Sequence, residues 1–428
     1  MVNLKDFLRG DESLHTKAFQ QAVDYCSERG GEPLFVPFGT YTLSTVELKD
    51  NTTIIFEDNT TILGSKNLDD FYQDCRLNDY QDLSHSSYTK SLFYAKNRKN
   101  ITIKGHATLD MQGVWEVENL RNSYYRGAKC IAFDNVEGVT LNDFKVLNAT
   151  DVAILLGRCK KCIISGLYLH THIDGISPDG CEDVVVTNCI LNCGDDAFVI
   201  KSSLYDNKFT PCKRITLTNC TISSNCNAVK IGTETNGEIK YITVSNCVLY
   251  NTRCAGLSVE SVDGSDVSGI LFDNITMENV STPIFINAGI RMRAPKGTPH
   301  GKINDVIISN IYADIHDKPY KTIDHWYTRI APGSDIRTNF SIASSISNNT
   351  DNKMTNITLT NINCKVLGGK KLSEVDFKEN KEGYPTPEIY GKVLPAYGLF
   401  IKNVDDIHLE NVKFTAINED ERPEIVKM

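Results

Sequence analysis

The chain has 428 residues, 41% hydrophobic and 23% charged, proportions that suit a soluble globular protein with a large core. A formal net charge of −9 argues against a nucleic-acid partner, and it means that an acidic ligand needs a locally basic site. No apolar run approaches the ~18 residues that span a bilayer, and MVNLKDFLRGDESLHTKAF lacks the apolar stretch of a secretion signal, so a cytoplasmic location (or a mature secreted form) is expected.

Residues 14–31, LHTKAFQQAVDYCSERGG, carry apolar side chains at Ala18, Phe19, Ala22, Val23 and Cys26. This spacing predicts an amphipathic helix ending at Gly30-Gly31. PLFVPFGTYTL then opens a strand-rich region in which one phrase keeps returning. It occurs as NITIKGHATL from Asn100, VVVTNCIL at 184–191, ITLTNCTI at 215–222 and ITVSNCVL at 242–249. ILFDNITM, VIISNIYA, ITLTNINC and IHLENVKF continue it to residue 414. The central Asn188, Asn219, Asn246 and Asn274 are separated by 31, 27 and 28 residues. Short strands recurring at ~20–30 residues mark a solenoid. The Leu framework of leucine-rich repeats is missing, and the β-branched segments lack helical spacing. An all-β parallel β-helix fits, with Asn residues laddered at equivalent turns and the N-terminal helix capping the open end. A β-sandwich or barrel with irregular strands is the bland alternative.

Fourteen cysteines are many. Cys159 and Cys162 form a lone CxxC without a second pair at zinc-finger distance, so zinc is not expected. Several others follow Asn in the repeat, which suggests reduced thiols stacked inside the coils as small apolar groups. Near the end, residues 367–398 depart from the repeat and read as a long surface excursion, either lining a cleft or decorating the rod.

The chemistry concentrates in HTHIDGISPDGCEDVVVTNCILNCGDDAFVIKSS, residues 170–203. Asp174 and Asp195 are 21 residues apart, about one coil, and Asp196 follows at a turn behind Gly194. Strands about 4.8 Å apart would bring these carboxylates together on the outside of the solenoid. Clustered acids raise at least one pKa, and one protonated acid beside ionised ones is the equipment of glycoside hydrolysis. Calcium binding is the rival use of the same acids. Asp183 is read as a turn residue, while Asp179 stays open between turn and site. The His170/His172 pair lies on one face of a strand, but two histidines alone do not make a metal site.

At these residues the sequence resembles glycoside hydrolase family 28, the polygalacturonase-like enzymes. GHATLDMQG (105–113), HIDGISPDGCEDVVVTNC and CGDDAFVIKSS carry the resemblance, which runs over almost the whole chain. It implies a right-handed parallel β-helix and single displacement with inversion, without cofactor or metal. Asp195 would be the general acid, and Asp174 with Asp196 would activate the water. The chain also departs from the family. Its Asn-Thr-Asp is His172-Ile173-Asp174 here, its Gly-His-Gly is Cys226-Asn227-Ala228, and its Arg-Ile-Lys falls near Gly256–Glu260, where no basic residue stands. Substrate contacts are therefore expected from His172, Lys201, Asn227, Lys230, Arg291 and Arg293, the last two because an Arg fork suits a carboxylate. The expected partner is a pectic oligosaccharide, galacturonate-containing or of rhamnogalacturonan type, cut from one end. A catalytically silent carbohydrate-binding β-helix and a uronate lyase or epimerase are the alternatives.

Overall fold

The computed structural model describes residues 1–10, 13–76, 79–80, 87–114, 127–316 and 342–428. Strands pair in parallel with the equivalent strand of the next coil, giving one continuous sheet system that closes into a right-handed parallel β-helix. The repeat asparagines sit in register: Thr187 pairs with Thr218, Thr218 with Ser245, and Ser245 with Asp273, so the next residues, Asn188, Asn219, Asn246 and Asn274, stack. All four adopt left-handed backbone, with φ between 53° and 56°, a conformation that Asn tolerates better than other side chains. Amide ladders run along this corner, as in Asn274 Nδ2 to Asn246 Oδ1 (2.8 Å) and Asn411 Nδ2 to Asn361 Oδ1 (2.8 Å).

The cysteine expectation is met inside the coils. Register stacks Cys189 on Cys220 on Cys247, and Cys159 on Cys181 on Cys212. Among the described residues 13 cysteines are free thiols, of which only Cys226 and Cys254 are not buried.

The capping helix spans Thr16–Glu28 and buries Ala18, Phe19, Ala22, Val23 and Cys26, the five side chains that its periodicity marks. Gly30 and Gly31 follow at φ 79° and 92°, where a side chain would be strained. At the other end the strand Ile407–Asn418 pairs with Ile357–Gly368, and its side chains alternate between partly and fully exposed over much of its length.

One face of the rod carries the acids. It is built from the strands Ile154–Gly157, Ile176–Asp179, Phe198–Ser202 and Val229–Thr235 and from the ends of Ile239–Ser261 and Asp266–Ala288. Ile154, Ile176, Phe198, Val229, Leu257 and Ile284 form one inward column along it. The 367–398 excursion folds back over the outer side of this face. Its Ile389, Tyr390, Leu394 and Ala396 pack with Ala255, Phe285 and Phe400 in a second hydrophobic cluster.

The Asn corner makes a quantitative demand. Asn246→Ala removes a ladder amide and puts a Cβ-only residue in left-handed backbone, and should cost about 1–2 kcal/mol. Urea denaturation should show a lower midpoint, with Asn246→Gly recovering the backbone share.

Candidate active site

Each acid is placed by the coil it belongs to. Ile176 pairs with Phe198 and Asp179 with Lys201, an offset of 22 residues. Asp174 therefore lies against Asp196, and Asp195 against Ile173. The backbone confirms this, since Gly175 N donates to Asp196 O (3.0 Å) and Asp195 N to Ile173 O (3.4 Å). The expected 21-residue pairing of Asp174 with Asp195 is thus one residue short, but the three acids do meet. Gly194 is needed because a Cβ there would collide with the carbonyl oxygen of His172. The next coil continues the row, as Ala197 N donates to Asn227 O (2.9 Å). Asp174, Asp196 and Asn227 thus stand on three successive coils.

The three acids are 2–6% exposed, and lysines face two of them. Lys201 Nζ lies 3.4 Å from Asp174 Oδ2, and Lys230 Nζ 3.2 Å from Asp196 Oδ2. Asn227 donates to Asp196 Oδ1 through Nδ2 (2.7 Å) and through its backbone N–H (3.2 Å). Burial acts to raise the Asp196 carboxyl, but Lys230, the Asn227 amide and Lys201 outweigh it and hold it below the usual carboxylate range. Asp196 is built to stay ionised.

Two raised carboxyls stand beside the triad. Asp179 is pushed up to about 6, chiefly by burial, although Ser203 N donates to it (2.7 Å) and Lys201 is near. Glu260 is pushed up to about 7 by burial, with Lys230 only partly offsetting this. Asp183 takes the bland role: at φ 60°, it is an exposed partner of Arg214.

Lys201 and Lys230 also face acids on their far sides. The register shifts by two residues between Ile200 and Ser202, which pair with Ile231 and Thr235. The inserted Gly232-Thr233 step turns Glu234 towards Lys201 (3.3 Å). Gly232 has φ 116°, and a Cβ would press on Glu260. Lys230 Nζ lies 3.7 Å from Glu260 Oε1.

Arg291 is brought to this network but is engaged there, donating to Asp263 and to the carbonyl of Thr233 (3.0 Å) and lying 3.6 Å from Glu234. The backbone of Arg293 does similar work, its N–H donating to Asp263 (2.9 Å) and its carbonyl accepting from Asn236 (3.0 Å). Both arginines therefore help to hold the loop after the strand Asp266–Ala288. His172 is pushed down to about 4 by burial and by His170, so it is neutral at pH 7.

Three residues that the motifs did not single out complete the site. Glu260 was legible, because Lys230 plus one 28-residue coil is Ser258, and Glu260 is the next residue on that face. Arg253 stands one coil beyond Asn225, anchored by Nε to the Asn225 carbonyl (2.5 Å) and partly exposed. Burial opposes its charge, but Cys254, Cys226, Asp195 and Glu388 outweigh that and raise its pKa. Tyr384 arrives from the 367–398 excursion. Its hydroxyl shares a hydrogen bond with Thr233 Oγ1 (2.9 Å), and its ring lies 5.9 Å from Lys230 Nζ and 5.8 Å from the Arg291 guanidinium. No repeat arithmetic reaches it.

Asp195, Asp196 and Cys226 bring donor atoms within 4.8 Å of one another. Asp196 already accepts from Asn227 and is ion-paired with Lys230, contacts that compete with an ion for its oxygens.

Buried acids in register on the outside of a parallel β-helix define a class of carbohydrate-active site, and comparison with known proteins specifies it. Residues 26–327 match the model of glycosyl hydrolases family 28, and the chain belongs to that family. It is similar to a probable polygalacturonase of Vitis vinifera, at 24% identity over 63% of this chain and 58% of that protein. An exopolygalacturonase of Zea mays is 23% identical over 69% of this chain and 72% of its own length. The match to a probable polygalacturonase of Arabidopsis thaliana spans 45% of that protein, so the alignments to the plant proteins cover about half to three-quarters of their lengths. Among solved structures, an exopolygalacturonase from Thermotoga maritima shares the fold at TM-score 0.67 and 18% identity, over 97% of this chain and 91% of that one. A family 28 exopolygalacturonase from Yersinia enterocolitica does so at TM-score 0.66 and 18% identity, over 99% and 78%.

The Glu260 carboxyl gives a pH signature. Its pKa rises from 4.5 to about 7 in the folded protein, so the native state prefers the neutral acid. Below 4.5 the group is protonated folded or unfolded; between there and 7 the unfolded chain loses the proton more readily, and native stability falls as pH rises. The melting temperature of Glu260→Gln minus that of the wild type should become more positive by about 1–3 °C from pH 4.5 to 7.5. A difference independent of pH would contradict the assigned shift.

Proposed function

We propose that this protein is an inverting glycoside hydrolase that releases uronic-acid units from the end of α-linked pectic oligosaccharides. The observation that carries the reading is the stack of Asp174 on Asp196 in adjacent coils, each faced by its own lysine, with Asp195 alongside. Lys230 and Asn227 favour the ionised form of Asp196, as a base requires. In this reading Asp174 and Asp196 take a proton from a water, whose oxygen bonds to the anomeric carbon from the face opposite the leaving group. The glycosidic C–O bond breaks, and Asp195 gives its proton to the departing oxygen.

The substrate follows from the surroundings. Family members named as exopolygalacturonases support a galacturonate-containing chain and attack at its end. The excursion, which covers the outer face beyond the acids, supports a cleft closed on one side. Ser258 and Glu260 stand where the family carries its basic element, so the uronate carboxylate needs another partner. Arg253 fits that role, since the residue is partly exposed, its Nε is anchored to the Asn225 carbonyl and its charge is felt by Asp195. The altered recognition residues favour a rhamnogalacturonan-type fragment over plain polygalacturonate. Action on imported oligosaccharides in the cytoplasm fits the reduced, buried cysteine columns.

Asp195→Asn should lower turnover at least ~10³-fold with an unchanged circular dichroism spectrum. Proton NMR of the wild-type product should show the inverted anomer first. A retained anomer, or an unsaturated product absorbing in the ultraviolet, would sink the reading. Arg253→Ala should raise KM about 10–100-fold for a uronate-ended oligosaccharide. The same change should have little effect on an analogue whose carboxyl is reduced to an alcohol.

A further inference from the structure

Among the described cysteines two differ from the rest. The other eleven are buried, Cys26 on the inner face of the capping helix and ten in the coils, whereas Cys226 and Cys254 are partly exposed and stand at the edge of the acid cluster. They belong to successive coils, with Cys254 N donating to Cys226 O (2.9 Å). Strand spacing of about 4.8 Å lies inside the Cα separation of about 4.4–6.8 Å that a disulfide bridges. The sulfur atoms are already 3.9 Å apart. Side-chain rotation, without moving either coil, can bring them to the bonding distance of about 2.05 Å.

We propose that Cys226 and Cys254 form a redox-active dithiol whose oxidation to an intramolecular disulfide reversibly shuts the neighbouring site, with a low-molecular-weight disulfide such as glutathione disulfide as oxidant. Cys254 is the attacking thiol. Its pKa is lowered, first by the hydrogen bond with Cys226 and further by Arg253, while that of Cys226 is raised. The Cys254 thiolate displaces one glutathione thiolate, giving a mixed disulfide. Cys226 then loses its proton and attacks Cys254 Sγ, expelling the second glutathione. Two protein thiols are oxidised, and one glutathione disulfide is reduced to two glutathiones.

Closure reaches the acids through one amide. Asn227 Nδ2 donates both to Asp196 Oδ1 (2.7 Å) and to Cys226 Sγ (3.3 Å). Turning the Cys226 sulfur towards Cys254 withdraws the second acceptor and repositions the group that orients Asp196. Displacements of about 1 Å in such a constellation cost up to ~10²-fold in rate.

The test is treatment of the native, full-length protein with glutathione disulfide, followed by peptide mass analysis and activity assay. The expected result is a Cys226–Cys254 crosslinked peptide, loss of two native-state reactive thiols, and a drop in turnover of about tenfold or more that dithiothreitol reverses. Cys254→Ser should keep the basal activity, form no crosslink and resist inactivation. The mass readout on the wild type does not depend on that variant folding, nor on the identity of the substrate. Absence of the crosslink, or its formation with unchanged turnover, overturns the proposal.

Discussion

In-register stacking of parallel coils is the constraint on which the rest of this structure depends. Each coil's backbone bonds to its neighbours along the rod, so a residue type that recurs at one position accumulates as a column about 4.8 Å apart. Inside, the columns are aliphatic side chains and thiols, which gain from stacking. Outside, a column of carboxylates would repel itself. The acidic face resolves this by alternating charge: Asp174, Lys201 and Glu234 form one run, and Asp196, Lys230 and Glu260 another. The buried lysines thereby have two acids each, and Asp196 keeps its charge while more than nine-tenths buried.

The same arrangement separates tasks among carboxyls that are identical in solution. Asp196, with an ammonium and an amide on it, is held ionised. Asp179 and Glu260, more weakly compensated, are pushed towards neutrality. Environment rather than residue type divides the roles, and the environment is a matter of which coil carries the lysine. The two-residue insertion at Gly232-Thr233 is part of this, because it places Glu234 opposite Lys201.

Much of this was legible in the sequence. The Asn spacing of 31, 27 and 28 residues is the register itself, since the left-handed corner repeats once per coil. The helix and its buried face follow from periodicity alone. That the three acids share one face was legible, but the pairing was off by one residue, because a coil length is fixed by inter-coil hydrogen bonds and not by motif spacing. Arg291 looked like a free fork on a loop. Its commitment to Asp263 depends on a side chain 28 residues away that no local pattern marks. Tyr384 was beyond reach for a related reason: the excursion contacts the site through a hydrogen bond spanning 151 residues, set by how its hydrophobic residues dock.

The two ends of the rod are finished differently. At the start a helix lies over the first coils, with its apolar stripe turned inwards. Towards the finish the strand Ile407–Asn418 pairs, among the described residues, with Ile357–Gly368 and carries Glu410 and Lys413 among its exposed positions. A charged terminal strand discourages a second molecule from adding another rung, since it would have to approach fixed charges and desolvate them. Protection at that end is thus electrostatic where at the other it is steric. Salt that screens surface charge beyond a few ångströms therefore loosens one guard and leaves the other untouched.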